Sequence, residues 1–134
     1  MGYHVANSAR MTWEERPAAV EGQQPRQYAE ITTAASLQQS RARVWRYPPK
    51  TRGRRHADHA QEEVFVVISG TLTMLLGDPP DRVDVGPQSV VAVEPMTPLQ
   101  VWNEGDEELV LFIYGAPPEQ AGADYFDDVD LPPA

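Results

Sequence analysis

Apolar residues in this chain come in short runs broken by turn-forming residues. Val64 to Ile68 is closed by Ser69-Gly70, and Thr71 to Leu76 follows at once. Gly77 to Asp81 has turn composition, Arg82 to Val85 is a short strand, Gly86-Pro87-Gln88 is a turn, and Ser89 to Val93 is another apolar strand. A proline-rich turn at 95–98 leads into Leu99 to Asn103. Glu104 to Glu107 reads as a hairpin turn before Glu108 to Tyr114, the most hydrophobic strand. Upstream, Gln27 to Thr33 alternates, with Tyr28, Glu30 and Thr32 on one face. Arg41 to Tyr47 does the same, setting Arg41, Arg43, Trp45 and Tyr47 against Ala42, Val44 and Arg46, until Pro48-Pro49 ends it. A further strand is predicted near Tyr3 to Ala6. Short β-branched runs ending at Gly, Pro or Asp are strands with at least one buried face, and helical periodicity of useful length is missing. The pattern therefore predicts an all-β sandwich or barrel.

Composition divides the chain without changing that picture. Its 134 residues suit one domain with a real core, and 41% hydrophobic against 23% charged residues excludes a disordered chain. Residues 27–115 are expected to form the barrel, 1–26 an N-terminal arm, and 116–134 an acidic tail rather than a strand, with Tyr125 and Phe126 available to dock it. No run approaches the roughly 18 apolar residues of a membrane span. The N-terminus lacks the apolar core of a signal peptide, so a cytoplasmic protein without membrane contact is expected. The chain has no cysteine and hence no disulfide or thiol chemistry. A net charge of −9 argues against a nucleic-acid partner. Trp13, Trp45 and Trp102 are expected to be exposed, which favours a homodimer.

Chemistry concentrates in His56 to Gly70, HADHAQEEVFVVISG. Alternation along a strand puts His56 and Asp58 on one face, and a bulge or turn returns Glu63 to it. An imidazole and carboxylates at the mouth of an apolar strand suit a metal ion or a small polar ligand. His56 and Glu63 equally suit a hydrogen-bonded pair sealed inside a barrel. His4, with no such neighbours, reads as a surface or packing residue.

These residues resemble the first motif of the cupin superfamily, His-x-His, three or four residues, Glu, six residues, Gly. His56, Glu63 and Gly70 match it, Asp58 stands at the second His, and His59 is one step out of phase. The second motif, Pro-x-Gly-x-x-His-x-x-x-Asn, maps onto 94–103. There Asn103 fits, Leu99 occupies the position of the fourth metal ligand, and Met96 replaces the usual Gly; Lys50 replaces the Gly that opens the first motif. The resemblance spans roughly residues 40–115 and implies a double-stranded β-helix, a jelly-roll barrel.

It also implies a metal site. His56, Asp58, His59 and Glu63 are its candidate ligands, and a divalent Zn, Ni, Fe or Mn ion its candidate cofactor. No histidine follows residue 59, so no later strand supplies a second imidazole. Without metal the same residues fit a small-molecule pocket walled by Phe65, Val67, Leu99 and Val101. Lys50, Arg52, Arg54 and Arg55 precede the motif and read either as a solvated loop or as an entrance at which Arg52, Arg54 and Arg55 guide an anionic ligand, with Arg55 the candidate for contacting it. Two functions follow from the resemblance. One is a small-molecule-binding barrel; the other is a metal-dependent isomerase, lyase or dioxygenase-like enzyme acting on a small organic acid, sugar or polyketide-like substrate.

Overall fold

The computed structural model describes residues 2–118 and 121–134. Its strands are β1 (Glu14–Arg16), β2 (Arg26–Glu30), β3 (Arg41–Tyr47), β4 (Thr51–Arg52), β5 (His56–Asp58), β6 (Glu62–Ser69) and β7 (Leu72–Leu76). They continue as β8 (Asp81–Val85), β9 (Val90–Val93), β10 (Leu99–Asn103), β11 (Leu109–Ala116) and β12 (Ala123–Tyr125), with a short helical turn, α1 (Ile31–Ala34), and a 3-10 turn at Ser8–Arg10. Two antiparallel sheets result. One runs β1-β2-β3-β11-β6-β9 and the other β12-β5-β10-β7-β8, with β4 on β10. This is the expected jelly-roll barrel, and among the described residues no helix is long and apolar enough to cross a membrane.

Alternation builds the core. In β11, Leu109, Leu111 and Ile113 face inward while Tyr114 lies on the outer face. Phe65 and Val67 from β6, Leu72 and Met74 from β7, and Leu99 and Val101 from β10 complete one cluster between the sheets. Burying each such side chain contributes about 1.5–3 kcal/mol, so the two sheets close on each other rather than standing apart.

Motif glycines and their replacements show why the turns hold. Gly70 has φ +85, and a Cβ there would lie 2.6 Å from the Glu108 carbonyl, so only glycine fits between β6 and β7. Lys50 (φ 59) and Met96 (φ 65) adopt the left-handed backbone although neither is glycine. The turn geometry is therefore kept at both positions where the resemblance leads one to expect Gly, at a cost of roughly 1–2 kcal/mol per residue.

Several expectations are corrected. Tyr3 to Ala6 forms no strand, and Tyr3 and Val5 are exposed. The strand expected over 27–33 ends at Glu30, because Thr32 turns its hydroxyl onto the backbone of Ala42 (2.9 Å from its N–H, 3.2 Å to its carbonyl) and the chain coils into α1. The arm supplies β1 as an edge strand, with Trp13 under the Arg46 guanidinium. Trp45 and Trp102 are buried, not exposed. The acidic tail contains a strand: β12 pairs with β5, Phe126 N–H donates to the Arg55 carbonyl, and Asp128 pairs with Arg52 at 2.7 Å. Two of its acids, Asp124 and Asp128, meet His59 and Arg52 on the barrel, a match invisible to composition alone.

Candidate functional site

β5 and β6 deliver three polar side chains to one end of the barrel interior. His56 and Asp58 are two apart on β5 and so share a face; the turn at 59–61 brings Glu63 back beside them. Opposite His56, in register on β10, stands Leu99. His56 Nε2 lies 3.7 Å from Asp58 Oδ2 and 3.7 Å from Glu63 Oε1. Both separations are too long for hydrogen bonds, so the groups act on one another as charges. Asp58 Oδ2 and Glu63 Oε1 are buried without a hydrogen-bond partner. His56 Nδ1 lies 3.1 Å from the Arg54 carbonyl, which assigns the ring proton to Nδ1 and turns Nε2 toward the two carboxylates. A bare Nε2 lone pair facing carboxylate oxygens would be repelled, so Nε2 requires either a proton or a cation.

Electrostatics follow this geometry. Burial disfavours the imidazolium, but the Asp58 and Glu63 carboxylates and the Arg54 carbonyl outweigh it and lift His56 from 6.5 to about 10. Burial would raise Asp58, yet His56, Glu63 and Arg41 together bring it down to about 2. Glu63 is raised, first by burial and then by neighbouring Asp58, against the pull of His56 and Arg41.

A second set of residues fixes Glu63 from behind. Arg41 Nη2 lies 3.5 Å from Glu63 Oε2, and its Nε donates to Gln61 Oε1 at 3.0 Å. Gln61, almost fully buried, donates to the Pro117 carbonyl at 3.0 Å. Gly115 makes room for it: a Cβ there would come within 2.4 Å of the Gln61 side chain.

The three groups open onto a cavity of about 630 Å³, walled by Phe65, Leu99, Val101 and Ile113 and by Trp45 and Tyr47. Its volume lies within the range of small-molecule sites. The sequence of the Cupin domain family matches residues 43–114, more than half of the chain. The chain is a cupin.

Solved structures agree on the fold. A sugar phosphate isomerase of the cupin superfamily from Silicibacter pomeroyi superposes with a TM-score of 0.73 at 19% identity, covering 91% of this chain and 81% of that one. A predicted oxalate decarboxylase from Thermotoga maritima gives 0.73 at 15%, covering 84% and 98%. A protein with a double-stranded β-helix domain from Klebsiella pneumoniae gives 0.65 at 20%, covering 84% and 90%. No protein of curated function matches the sequence.

Within this cupin barrel the residues singled out from sequence separate into two groups. His56, Asp58 and Glu63 converge, with one potential ligand atom from each lying within 4.8 Å of the others, and Phe65, Leu99 and Val101 line the cavity. His59 does not join them. Its Nε2 is 2.8 Å from Asp124 and its Nδ1 2.9 Å from the Ala121 carbonyl, so it faces the C-terminal segment. Arg55 also lies off the cavity, 3.7 Å from Asp78 and stacked on Phe126. Val67 belongs to the core cluster beyond the cavity wall. Of the basic run, Arg54 alone lines the cavity.

Sequence reasoning missed the other four arginines that line it. Arg41 and Arg43 share an alternating face with Trp45 and Tyr47, a usable signal once that face is known to point inward. Arg16 and Arg26 carried no such signal.

The donor set fits a divalent cation. It offers one imidazole nitrogen, oriented by its other ring nitrogen on a carbonyl, and two buried oxygens lacking partners. Residues His56, Asp58 and Glu63 would hold the ion, which when bound would supply Lewis-acid polarisation of a ligand oxygen.

Proposed function

We propose that this cupin binds a small polar molecule in the barrel cavity, with His56, Asp58 and Glu63 forming the polar end that orients it. The observation that carries the reading is the convergence of these three side chains on one end of a cavity of about 630 Å³ whose aromatic and aliphatic walls are edged by arginines. Apolar walls supply affinity, and a few convergent polar groups supply orientation.

A second reading is a metal-dependent enzyme, an isomerase, lyase or dioxygenase-like catalyst on a small organic acid, sugar or polyketide-like substrate. The orphaned oxygens of Asp58 and Glu63 favour it, because buried carboxylate oxygens are otherwise costly. The sugar phosphate isomerase and predicted oxalate decarboxylase of similar fold are consistent with it. Glu63, with its raised pKa, is the group placed to give or take a proton at a bound carbon or oxygen. Zinc, nickel, iron and manganese are the candidate ions.

Untagged protein is assayed by elemental analysis and then screened, metal-free and metal-loaded, for thermal shifts with small hydroxy acids, sugars and sugar acids. A ligand at about 100 times its Kd stabilises by about 2.7 kcal/mol, a rise of about 10 °C for a domain of this size. A shift abolished by Val101→Trp, which pushes an indole from the wall into the cavity, supports binding there. Metal retained by the native chain and lost in His56→Ala moves the second reading ahead. A shift equal in Val101→Trp and the native chain would refute the cavity as the binding site.

A further inference from the structure

Five of the residues that line the cavity are arginines, 16, 26, 41, 43 and 54, against two carboxylates, Asp58 and Glu63, in a chain whose net charge is −9. Two of the five are neutralised: Arg43 Nε sits 2.7 Å from Glu30, and Arg41 pairs with Glu63. Arg26 is different. It is 7% exposed, and among the described residues no carboxylate pairs with it. Its contacts are the Tyr47 hydroxyl at 3.3 Å and the Pro17 carbonyl at 3.4 Å, both long, and its Nε has no partner. Its guanidinium carbon lies 5.4 Å from the ring centroids of both Trp45 and Tyr47. Arg16 approaches the same shelf, 5.7 Å from the Trp45 ring, again without a carboxylate partner among the described residues.

Magnitudes show what is missing. A buried cation without a counter-ion costs several kcal/mol, whereas cation–π contacts return about 0.5–2 kcal/mol each and the two long hydrogen bonds from the guanidinium to uncharged acceptors about 1.5 kcal/mol each at most. An anion arriving from outside restores the balance, and the planar fork of Arg26 matches two oxygens of such a group. Gly53 holds the space open, since a Cβ there would lie 3.1 Å from both Arg26 Nη1 and the Tyr47 hydroxyl.

We propose that Arg26 and Arg16, over the Trp45–Tyr47 shelf, form an anion subsite that takes the carboxylate or phosphate group of the molecule bound in the cavity. This rests on the reading of the cavity as a ligand site and adds the chemical class of the ligand: an acidic small molecule whose uncharged part reaches toward His56 and Glu63.

The test uses the probes themselves, inorganic phosphate and acetate, titrated into the full chain at 20 and 300 mM NaCl while the Arg side-chain Nε–H resonances are followed by NMR. Saturable shifts at the Arg26 Nε–H, weaker at high salt, are expected. Arg26→Gln should lower affinity at least tenfold, Arg16→Gln severalfold, and Arg52→Gln or Arg82→Gln, which pair with Asp128 and Asp84 off the cavity, not at all. Should Arg26→Gln fail to fold, Gly53→Ala keeps the charge but crowds the guanidinium and should still weaken binding severalfold. Saturation by phosphate alone or by acetate alone supports the subsite and names its source. Saturation by neither, or binding reduced as much by Arg52→Gln as by Arg26→Gln, overturns it. A neutral compound that still shifts the melting temperature through the cavity would then leave the binding reading standing without the anion.

Discussion

Replacing Asp58 by Asn removes one negative charge and almost no volume, and it should be read most directly at His56. The two groups lie 3.7 Å apart. At an effective dielectric constant of about 20, unit charges at that distance attract by about 4.5 kcal/mol, equivalent to about 3 pKa units. His56 stands at about 10 in the native chain, so the variant should titrate near 7. Part of the loss is recovered, because Asp58 is one of the causes that raise Glu63, and without it the Glu63 carboxyl beside His56 ionises more readily. A fall of 2–3 units is the expected net effect. Histidine Cε1–H NMR between pH 5 and 10.5, in metal-free buffer, measures it. The stability consequence has a definite sign. The folded-state value exceeds the unfolded one near 6.5, so the stabilisation is complete below about pH 6.5 and is lost as pH rises toward 10. Denaturant midpoints of the native chain should fall across that window and those of Asp58→Asn much less. Asp58 itself, lowered to about 2 from 3.8, contributes stability that is complete above about pH 4 and lost as pH falls toward 2. A native His56 that titrates near 6.5, or one unmoved by the substitution, would refute the charge argument.

Leu99→His should raise zinc and nickel affinity about tenfold or more by adding an imidazole opposite His56, with magnesium little changed, and should cost the metal-free protein about 1–3 kcal/mol; calorimetric titration checks it, and equal weak binding by both proteins would refute it. Met96→Gly relieves a left-handed backbone and should stabilise by about 0.5–1 kcal/mol after the unfolded-state entropy of glycine is subtracted; an unchanged denaturation midpoint would show that the turn is unstrained. Ile68, Val90 and Tyr114 are exposed on the outer face of the β9-β6-β11 region, and we propose that this face pairs two copies of the chain. Light scattering should give twice the chain mass at micromolar concentration, and Ile68→Lys should halve it.

The barrel was readable because burial on one face forces period-two alternation, and turn chemistry marks where each run stops. Strand β10 begins and ends where its apolar run does, and β3 runs from Arg41 to Tyr47 as the alternation requires. The His56, Asp58 and Glu63 group was legible for the same reason, two residues on a strand sharing a face. What failed to show is what depends on pairing at a distance. Arg26 carries no local signal, because its partners, Tyr47 and the Pro17 carbonyl, come from other elements. The basic run at 50–55 reads as an entrance, yet Arg52 is committed to Asp128 of the acidic tail and Arg55 to Asp78 of the turn before β8. His59 fits a ligand spacing by count, and a turn aims it the other way, at Asp124. Linear spacing reports faces; it does not report which charge finds which.

Gly115 has no side chain of its own, yet across from Glu63 on β11 it sets the tolerance of the site to change. A single methyl at that position must displace Gln61, and Gln61 is what steadies Arg41 against Glu63. The push therefore travels through two side chains, Gln61 and Arg41, before reaching a carboxylate whose proton affinity depends on where Arg41 sits. A variant library scored for function would then record position 115 as intolerant, and a reader of that map would count it among the working residues. Its contribution is an empty volume, and the chemistry of the pocket leans on that vacancy as much as on any donor atom.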